Sequence, residues 1–318
     1  MGDIRITMLG SQASGKTCYM LGMYNRMQIG LNGFTMSMDD LDESLRLEQL
    51  WFKLIEGGED RWPMLTNSAA NYELSLNYGF LPMMTFSWLD YRGGALGAYS
   101  SDADKQALVQ SLVDSKCIFL TVSGDLLRDG LMRSANVKQL ELKQMNSLVT
   151  MAMQQIKPTL ERPFPLVILI TKYDLCASRG MDAIVNEIRQ FFTAAFAQGK
   201  TLTAIIPVSL GKELADHQFT GAIEVINMHL PVVYAVWSQF MDKNTVKQGE
   251  LQSSAAALRE REAHKNLLAF FRSSDIVHQR DTVRALEAEA SEIAHNMQLL
   301  VKELKDVQVY RGGERVEI

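Results

Sequence analysis

Eight consecutive residues near the N-terminus, Gly10-Ser11-Gln12-Ala13-Ser14-Gly15-Lys16-Thr17, constrain this chain more than any other stretch. They fit the pattern G-x-x-x-x-G-K-[ST] at every position. Residues 3–9 alternate and are rich in Ile, Thr and Met, which predicts a strand, and residues 18–29 predict a helix. A glycine-rich turn between strand and helix can aim successive backbone N–H groups at phosphate oxygens. The helix start adds unpaired donors and the positive end of its dipole. In such a loop Lys16 reaches the β- and γ-phosphates of a nucleotide, and the Thr17 hydroxyl binds Mg²⁺. Gly10, Ser11, Gln12, Ala13, Ser14, Gly15 and Cys18 complete the stretch expected to wrap the phosphates.

Downstream, strand and helix patterns alternate. Tyr72, Leu74, Leu76 and Tyr78 recur at period two, residues 79–82 read as a turn, and 83–89 as a second strand, which predicts an antiparallel pair. Residues 117–122, 165–171 and 203–208 predict further strands, the last ending the sheet, and 137–156 predict a long helix stopped by Pro158. The expected fold is α/β: a three-layer sandwich with a mostly parallel sheet and helices on both faces. One helical pattern interrupts the early part. Leu41, Leu45, Phe52 and Ile55 mark it, Ser37 or Asp39 is the expected cap, and Gly57-Gly58 the stop.

After Ala222 the chain reads as helical, with Pro231 kinking the helix or marking a restart. From about residue 244 the composition shifts to Ala, Glu, Arg and Gln. Val283, Leu286, Ala290, Ile293, Met297, Leu300, Leu304 and Val307 then recur at spacings of three and four. Ser273-Ser274-Asp275 interrupts the preceding helix and caps the next. The region reads as an α-helical, coiled-coil-like C-terminal extension, either a helical hairpin or a coiled coil. Its seam would face the first domain, a sister helix or another chain. Gly312-Gly313 between Val309-Tyr310 and Val316 marks a small hairpin. The expected organisation is residues 1–243 with a helical insertion near 37–58, an extension over 244–308, and a tail over 309–318.

The 318 residues are 47% hydrophobic and 22% charged, which supports a sizeable core and argues against disorder. A net charge of −5 argues against a nucleic-acid partner. No run approaches the roughly 20 apolar residues of a membrane span. With no basic leader and three scattered cysteines, the chain reads as cytoplasmic. The histidines (His217, His229, His264, His278, His295) lie at no ligand spacing, so no metal beyond Mg²⁺ is expected.

Two more signals follow the loop in chain order. Trp88-Leu89-Asp90-Tyr91-Arg92-Gly93 ends an apolar strand with D-x-x-G. Asp90 there can hold Mg²⁺ through water, and the Gly93 N–H can reach a γ-phosphate. In Thr171-Lys172-Tyr173-Asp174, the Asp174 carboxylate can accept from N1–H and the 2-amino group of guanine, a donor pair that adenine lacks. The Lys172 stem would cover the base.

These three elements in this order resemble the Ras-like and translation-factor-like (TRAFAC) class of P-loop GTPases, over about residues 3–242. The resemblance implies Thr66 as the switch threonine that joins Mg²⁺ and senses the γ-phosphate, with Thr35 as its rival. It implies Ser209 and Leu210 as the loop touching guanine, with Thr171 in place of the usual Asn. Two departures stand out. Gly94 replaces the water-positioning glutamine that often follows the D-x-x-G glycine, which implies slow hydrolysis in isolation. Gln12 matches a phosphate-loop glutamine of dynamin-like GTPases, which complete their sites by dimerising. The other departure is the inserted helix, which resembles a decoration of divergent bacterial GTPases, including double-GTPase-type conflict-system proteins. It either reports nucleotide state to a partner or packs on the domain without switching.

The reading that follows is a guanine-nucleotide switch that binds GTP and GDP with Mg²⁺ and hydrolyses GTP slowly. Gln12, Lys16, Thr66 and Gly93 are its catalytic candidates, and Thr17, Thr66 and Asp90 its metal ligands. Nucleotide state would pass to a protein partner or to self-association through the C-terminal helices. The alternative is a non-hydrolysing, nucleotide-bound scaffold. An ATPase or kinase is disfavoured by Asp174.

Overall fold

The structure, a computed structural model, describes residues 4–63, 70–91, 102–131, 137–159, 161–196, 199–215, 223–263 and 273–318. Thr66 and Gly93 lie outside these residues, as do Arg92 and Gly94.

The chain divides into two units, one of Met1–Ala235 with Asp306–Ile318 and one of Val236–Lys305. The first is built on a nine-stranded sheet. In chain order its strands are β1 (Arg5–Gly10), β2 (Phe34–Ser37), β3 (Ala70–Tyr78), β4 (Leu81–Asp90), β5 (Cys117–Ser123), β6 (Phe164–Thr171), β7 (Thr201–Pro207), β8 (Gln308–Arg311) and β9 (Glu314–Val316). Across the sheet the order is β2-β3-β4-β1-β5-β6-β7-β8-β9. The five central strands, β4 to β7 in that order, are mutually parallel. Both margins are antiparallel.

Parallel strands buried on both faces read as continuous apolar runs, as Cys117–Ser123 does, with every residue buried. Alternation still sorts its side chains. Ile118, Leu120 and Val122 join a core with Leu108 and Leu112 of α3 (Asp102–Val113), Leu142 and Met145 of α5 (Val137–Ile156), and Ile184 and Ile188 of α6 (Met181–Phe191). Between them, Phe119 meets Trp88 edge-on at 5.0 Å, and Trp88 neighbours Tyr19 of α1 (Lys16–Ile29) at 6.1 Å. Helices therefore cover both faces. Met20, Met23 and Met27 of α1 are fully buried core residues.

Several boundaries differ from the sequence expectation, each for a local reason. Helix α1 begins at Lys16 rather than at residue 18, so the conserved-pattern Lys and Thr form its first turn. The inserted helix, α2 (Leu41–Glu56), is capped by Asp40, whose carboxylate accepts the Glu43 N–H at 3.0 Å. Ser37 instead ends β2, a strand of only four residues whose burial alternates. Helix α2 lies on α1 through buried Leu47, Trp51 and Leu54 and through Tyr24 Oη–Ser44 Oγ at 2.9 Å. Residues 223–229 are not helical, against the expectation of helix directly after Ala222. Of the two alternatives at Pro231, the structure has the helix start rather than the kink: Pro231 sits in the first turn of α7 (Leu230–Ala263), where its missing N–H removes no hydrogen bond. Helix α4 is the short Gly124–Asp129.

The tail hairpin turns at Gly312-Gly313, both at positive φ (+58° and +85°), and pairs Arg311 with Glu314. Its first strand extends the sheet: β8 pairs antiparallel with β7, Thr203 opposite Tyr310. In the second unit, α8 (Ser273–Leu304) runs antiparallel to α7. Lys247 Nζ lies 2.8 Å from Glu289 Oε2, and Gln279 donates to the Ser254 carbonyl at 3.5 Å. Among the described residues, no helix is long and apolar enough to cross a membrane.

Tyr310 anchors the tail. It is 6% exposed, packs edge-on against Phe196, and lies under the Arg189 guanidinium at 5.3 Å. Tyr310→Ala should destabilise the first unit by about 3 kcal/mol, as truncation of a buried aromatic does. Urea unfolding followed by circular dichroism would measure it.

Candidate functional site

Parallel strands all present their C-terminal ends at one edge, the crevice where open α/β sheets bind ligands. Here that edge collects Gly10 from β1, Asp90 from β4, Ser123 from β5, Thr171 from β6 and Val208 after β7. The neighbours of β1 lead away on opposite sides, which makes this the topological switch point.

The loop after β1 is shaped by backbone conformations that few residues adopt. Ala13 (φ +56°) and Gly15 (φ +91°) are left-handed, and Ser14 N–H donates to Ser11 O at 3.2 Å. A Cβ on Gly10 would lie 2.7 Å from Ser14 Oγ and 2.8 Å from Thr121 Cβ, so only glycine fits there. Lys16 is 7% exposed, and its Nζ donates to Gly10 O at 2.9 Å and to Ser11 O at 3.1 Å. Burial pushes its pKa down, while the Asp90 and Glu141 charges oppose that shift. Ser11 and Ser14 hydroxyls are buried without a hydrogen-bond partner, and Gln12 and Ala13 are exposed. Burial pushes the Cys18 thiol up to about 11, against the Lys172 ammonium.

Asp90 lies at the same edge, beside Lys16 and Thr17. Burial raises its carboxyl to about 6, opposed by Lys16 and by a hydrogen bond with the Thr17 side chain. Its Oδ1 is buried and makes no hydrogen bond. An orphaned carboxylate oxygen beside a hydroxyl is a hard-oxygen pair that suits Mg²⁺ together with waters and phosphate oxygens. Among the described residues, no group of three or more His, Cys, Asp or Glu converges as a metal cluster.

The β6 end grips the same loop from the other side. Thr171 Oγ1 donates to Ser14 O at 2.5 Å, and Lys172 Nζ donates to Ala13 O at 3.0 Å. Lys172 is itself left-handed (φ +50°). The Asp174 carboxylate accepts a hydrogen bond from the Ser209 hydroxyl, which also accepts the Gly211 N–H at 2.9 Å. Ser209 is held by backbone bonds to Ile226 in both directions. The Leu210 side chain is buried beside Gly22 of α1, so what Leu210 can offer a ligand is its backbone.

Residues Gly10 to Cys18, Asp90, Thr171, Lys172, Asp174, Ser209 and Leu210 therefore all sit at one sheet edge. Thr35 is in β2, paired with Asn77, away from that edge. Two neighbours escaped the sequence reading. Gly124 packs so closely on the Lys172 backbone that a Cβ would lie 2.1 Å from the Lys172 carbonyl oxygen. A glycine directly after a buried run was its signal. Glu141, on α5, is buried, and its Oε2 accepts the Gln12 N–H at 3.0 Å. Nothing in the sequence marked it.

No family model matches the chain, and no curated protein matches it. Among solved structures it is similar to the S. cerevisiae Ski7 GTPase-like domain, once bound to GDP and inorganic phosphate and once bound to GTP. Both are 14% identical to it, with TM-scores of 0.39 and 0.38. The alignments cover 75% and 73% of this chain but 50% and 49% of those chains, so it spans about half their length.

The Asp90 environment has a measurable consequence. A carboxyl whose folded pKa of about 6 exceeds its ordinary 3.8 binds its proton more tightly in the folded state. Its contribution is fully present below the unfolded value and is lost as pH rises through the folded one. Nucleotide- and metal-free protein should lose roughly 3 kcal/mol relative to Asp90→Asn on going from about pH 3 to about pH 7. Denaturant titrations of both proteins across that range would test it.

Proposed function

We propose that this protein is a guanine-nucleotide-binding switch that takes GTP and GDP with Mg²⁺ and hydrolyses GTP slowly on its own. The observation that carries the reading is the convergence at one sheet edge of the loop holding Lys16 and the Lys172–Asp174 strand end. The two are linked by hydrogen bonds to Ser14 and Ala13. A phosphate cradle and a base reader tied together match a nucleotide's two ends.

In this reading, loop amides and Lys16 bind the phosphates, with the Ser11 and Ser14 hydroxyls as further donors. Thr17 and Asp90 hold Mg²⁺, which supplies charge neutralisation at the β- and γ-oxygens. Thr66 and Gly93 add the switch threonine and the γ-phosphate N–H. The Asp174 carboxylate, oriented by Ser209, accepts from the guanine N1–H and 2-amino group, while the Lys172 stem covers the base. The Leu210 backbone lines its rim. Gln12 is exposed at the loop's front, where a second subunit can meet it. The helical hairpin of α7 and α8 offers the surface through which nucleotide state reaches a partner or another copy. The non-hydrolysing scaffold remains the alternative, favoured by Gly94.

Calorimetric titration of nucleotide-free protein with GTP, GDP and ATP in Mg²⁺ should show selective guanine binding. Equal or preferred ATP binding would remove Asp174 as base reader. Lys16→Ala should abolish binding. Asp174→Asn should lose GTP and gain xanthosine triphosphate, because one donor–acceptor pair is inverted at each partner. Burying an unmatched polar pair makes that switch worth about 10²-fold or more.

A further inference from the structure

One acid at the loop has no part in the scheme above. Glu141 is 5% exposed, yet its carboxylate accepts a backbone N–H of the phosphate-binding loop. A neutral acceptor would hold the Gln12 amide equally well, without the cost of taking a charge out of water. The carboxylate also lies in the field of the buried Lys16 ammonium, the group that reaches the β- and γ-phosphates in the reading above.

Its neighbours define its place. The base-reading strand end reaches the loop at Ala13 and Ser14, through Lys172 and Thr171. Thr17 and Asp90 mark the metal side. The Lys16 ammonium, on the Gly10 and Ser11 carbonyls, feels two carboxylates, Asp90 more strongly and Glu141 next. Asp90 is committed to Thr17 and the metal. Glu141 is the second acid, at the Gln12 end of the loop. Its Oε2 is engaged with the Gln12 N–H.

We propose that Glu141 is the catalytic base for GTP hydrolysis, filling the role left empty by Gly94; this rests on the guanine-nucleotide reading above. The water oxygen forms a bond to the γ-phosphorus. The bond from that phosphorus to the β–γ bridging oxygen breaks, and its electron pair leaves with GDP. The water proton passes to Glu141 Oε1 and from there to the released inorganic phosphate, which regenerates the carboxylate. The hydrogen bond from Gln12 to Oε2 keeps the carboxylate aimed throughout.

Glu141→Gln separates basicity from positioning, because its amide oxygen can still accept the Gln12 N–H. Full-length wild type and variant would be compared by calorimetric GTP and GDP titration, by thermal unfolding, and by single-turnover hydrolysis of γ-labelled GTP. The expected result is hydrolysis slowed about 10²-fold or more, the usual worth of a general base, at unchanged melting temperature. GTP and GDP affinities should stay within about threefold, so that the loss falls in the chemical step. Glu141→Asp, a shorter base, should recover part of the rate. Unchanged hydrolysis in Glu141→Gln overturns the proposal. So does a loss that merely follows weaker binding or a lower melting temperature, and so does wild type that binds GTP without turning it over. Wild type that fails to bind GTP at all overturns the nucleotide reading itself, an outcome the titration reports separately.

Discussion

The whole edge of the sheet is organised around one buried ammonium. Removing Lys16 from water is unfavourable, and burial lowers its pKa accordingly. Two loop carbonyls and two nearby carboxylates offset that cost. The same contacts curl the loop, since the ammonium at the helix start reaches back to Gly10 and Ser11. Within the loop the Ser14 N–H turns back onto the Ser11 carbonyl, and the Gln12 N–H is held by Glu141. Asp90 is part of the same balance, with its carboxyl held near 6 between desolvation and the Lys16 charge.

Steric limits tie the Gly10–Thr17 loop to the end of β6. Gly10 lets the end of β1 approach Ser14 and Thr121 of β5, and Gly124 leaves room for the Lys172 backbone. Thr171 reaches Ser14 and Lys172 reaches Ala13 across the same edge. The left-handed turn at Lys172 is followed by Tyr173, whose N–H donates to Val208 O at 3.2 Å, which ties the Lys172–Asp174 segment to the Ser209 loop.

The early part of the chain was largely legible because its information is local. A strand, an eight-residue loop and a helix are contiguous, and each has its own period or turn chemistry. The same holds for Val137–Ile156, where the long helical period and Pro158 delimit the element. Short elements were not legible. β2 alternates over only four residues, Phe34-Thr35-Met36-Ser37, too short a run to stand out, and the Asp40 cap competes with two other capping residues within three positions. Pro231 was ambiguous because the same residue breaks a helix interior and suits a first turn, and only the helix start decides between them.

Sequence alone determined the glycine-rich loop between β1 and α1, the alternation that yields a buried parallel sheet, and the turn of the tail hairpin, because each depends on residues close along the chain. Tertiary structure alone decided where distant pieces meet. It set the tail strand against β7, the helix α8 beside α7, and Glu141 on the amide of Gln12, 129 positions away. Such meetings depend on strand order and on which helix covers which face. Glu141 lies within an ordinary helical pattern, and it becomes distinctive only when packing removes it from water and brings it to the loop.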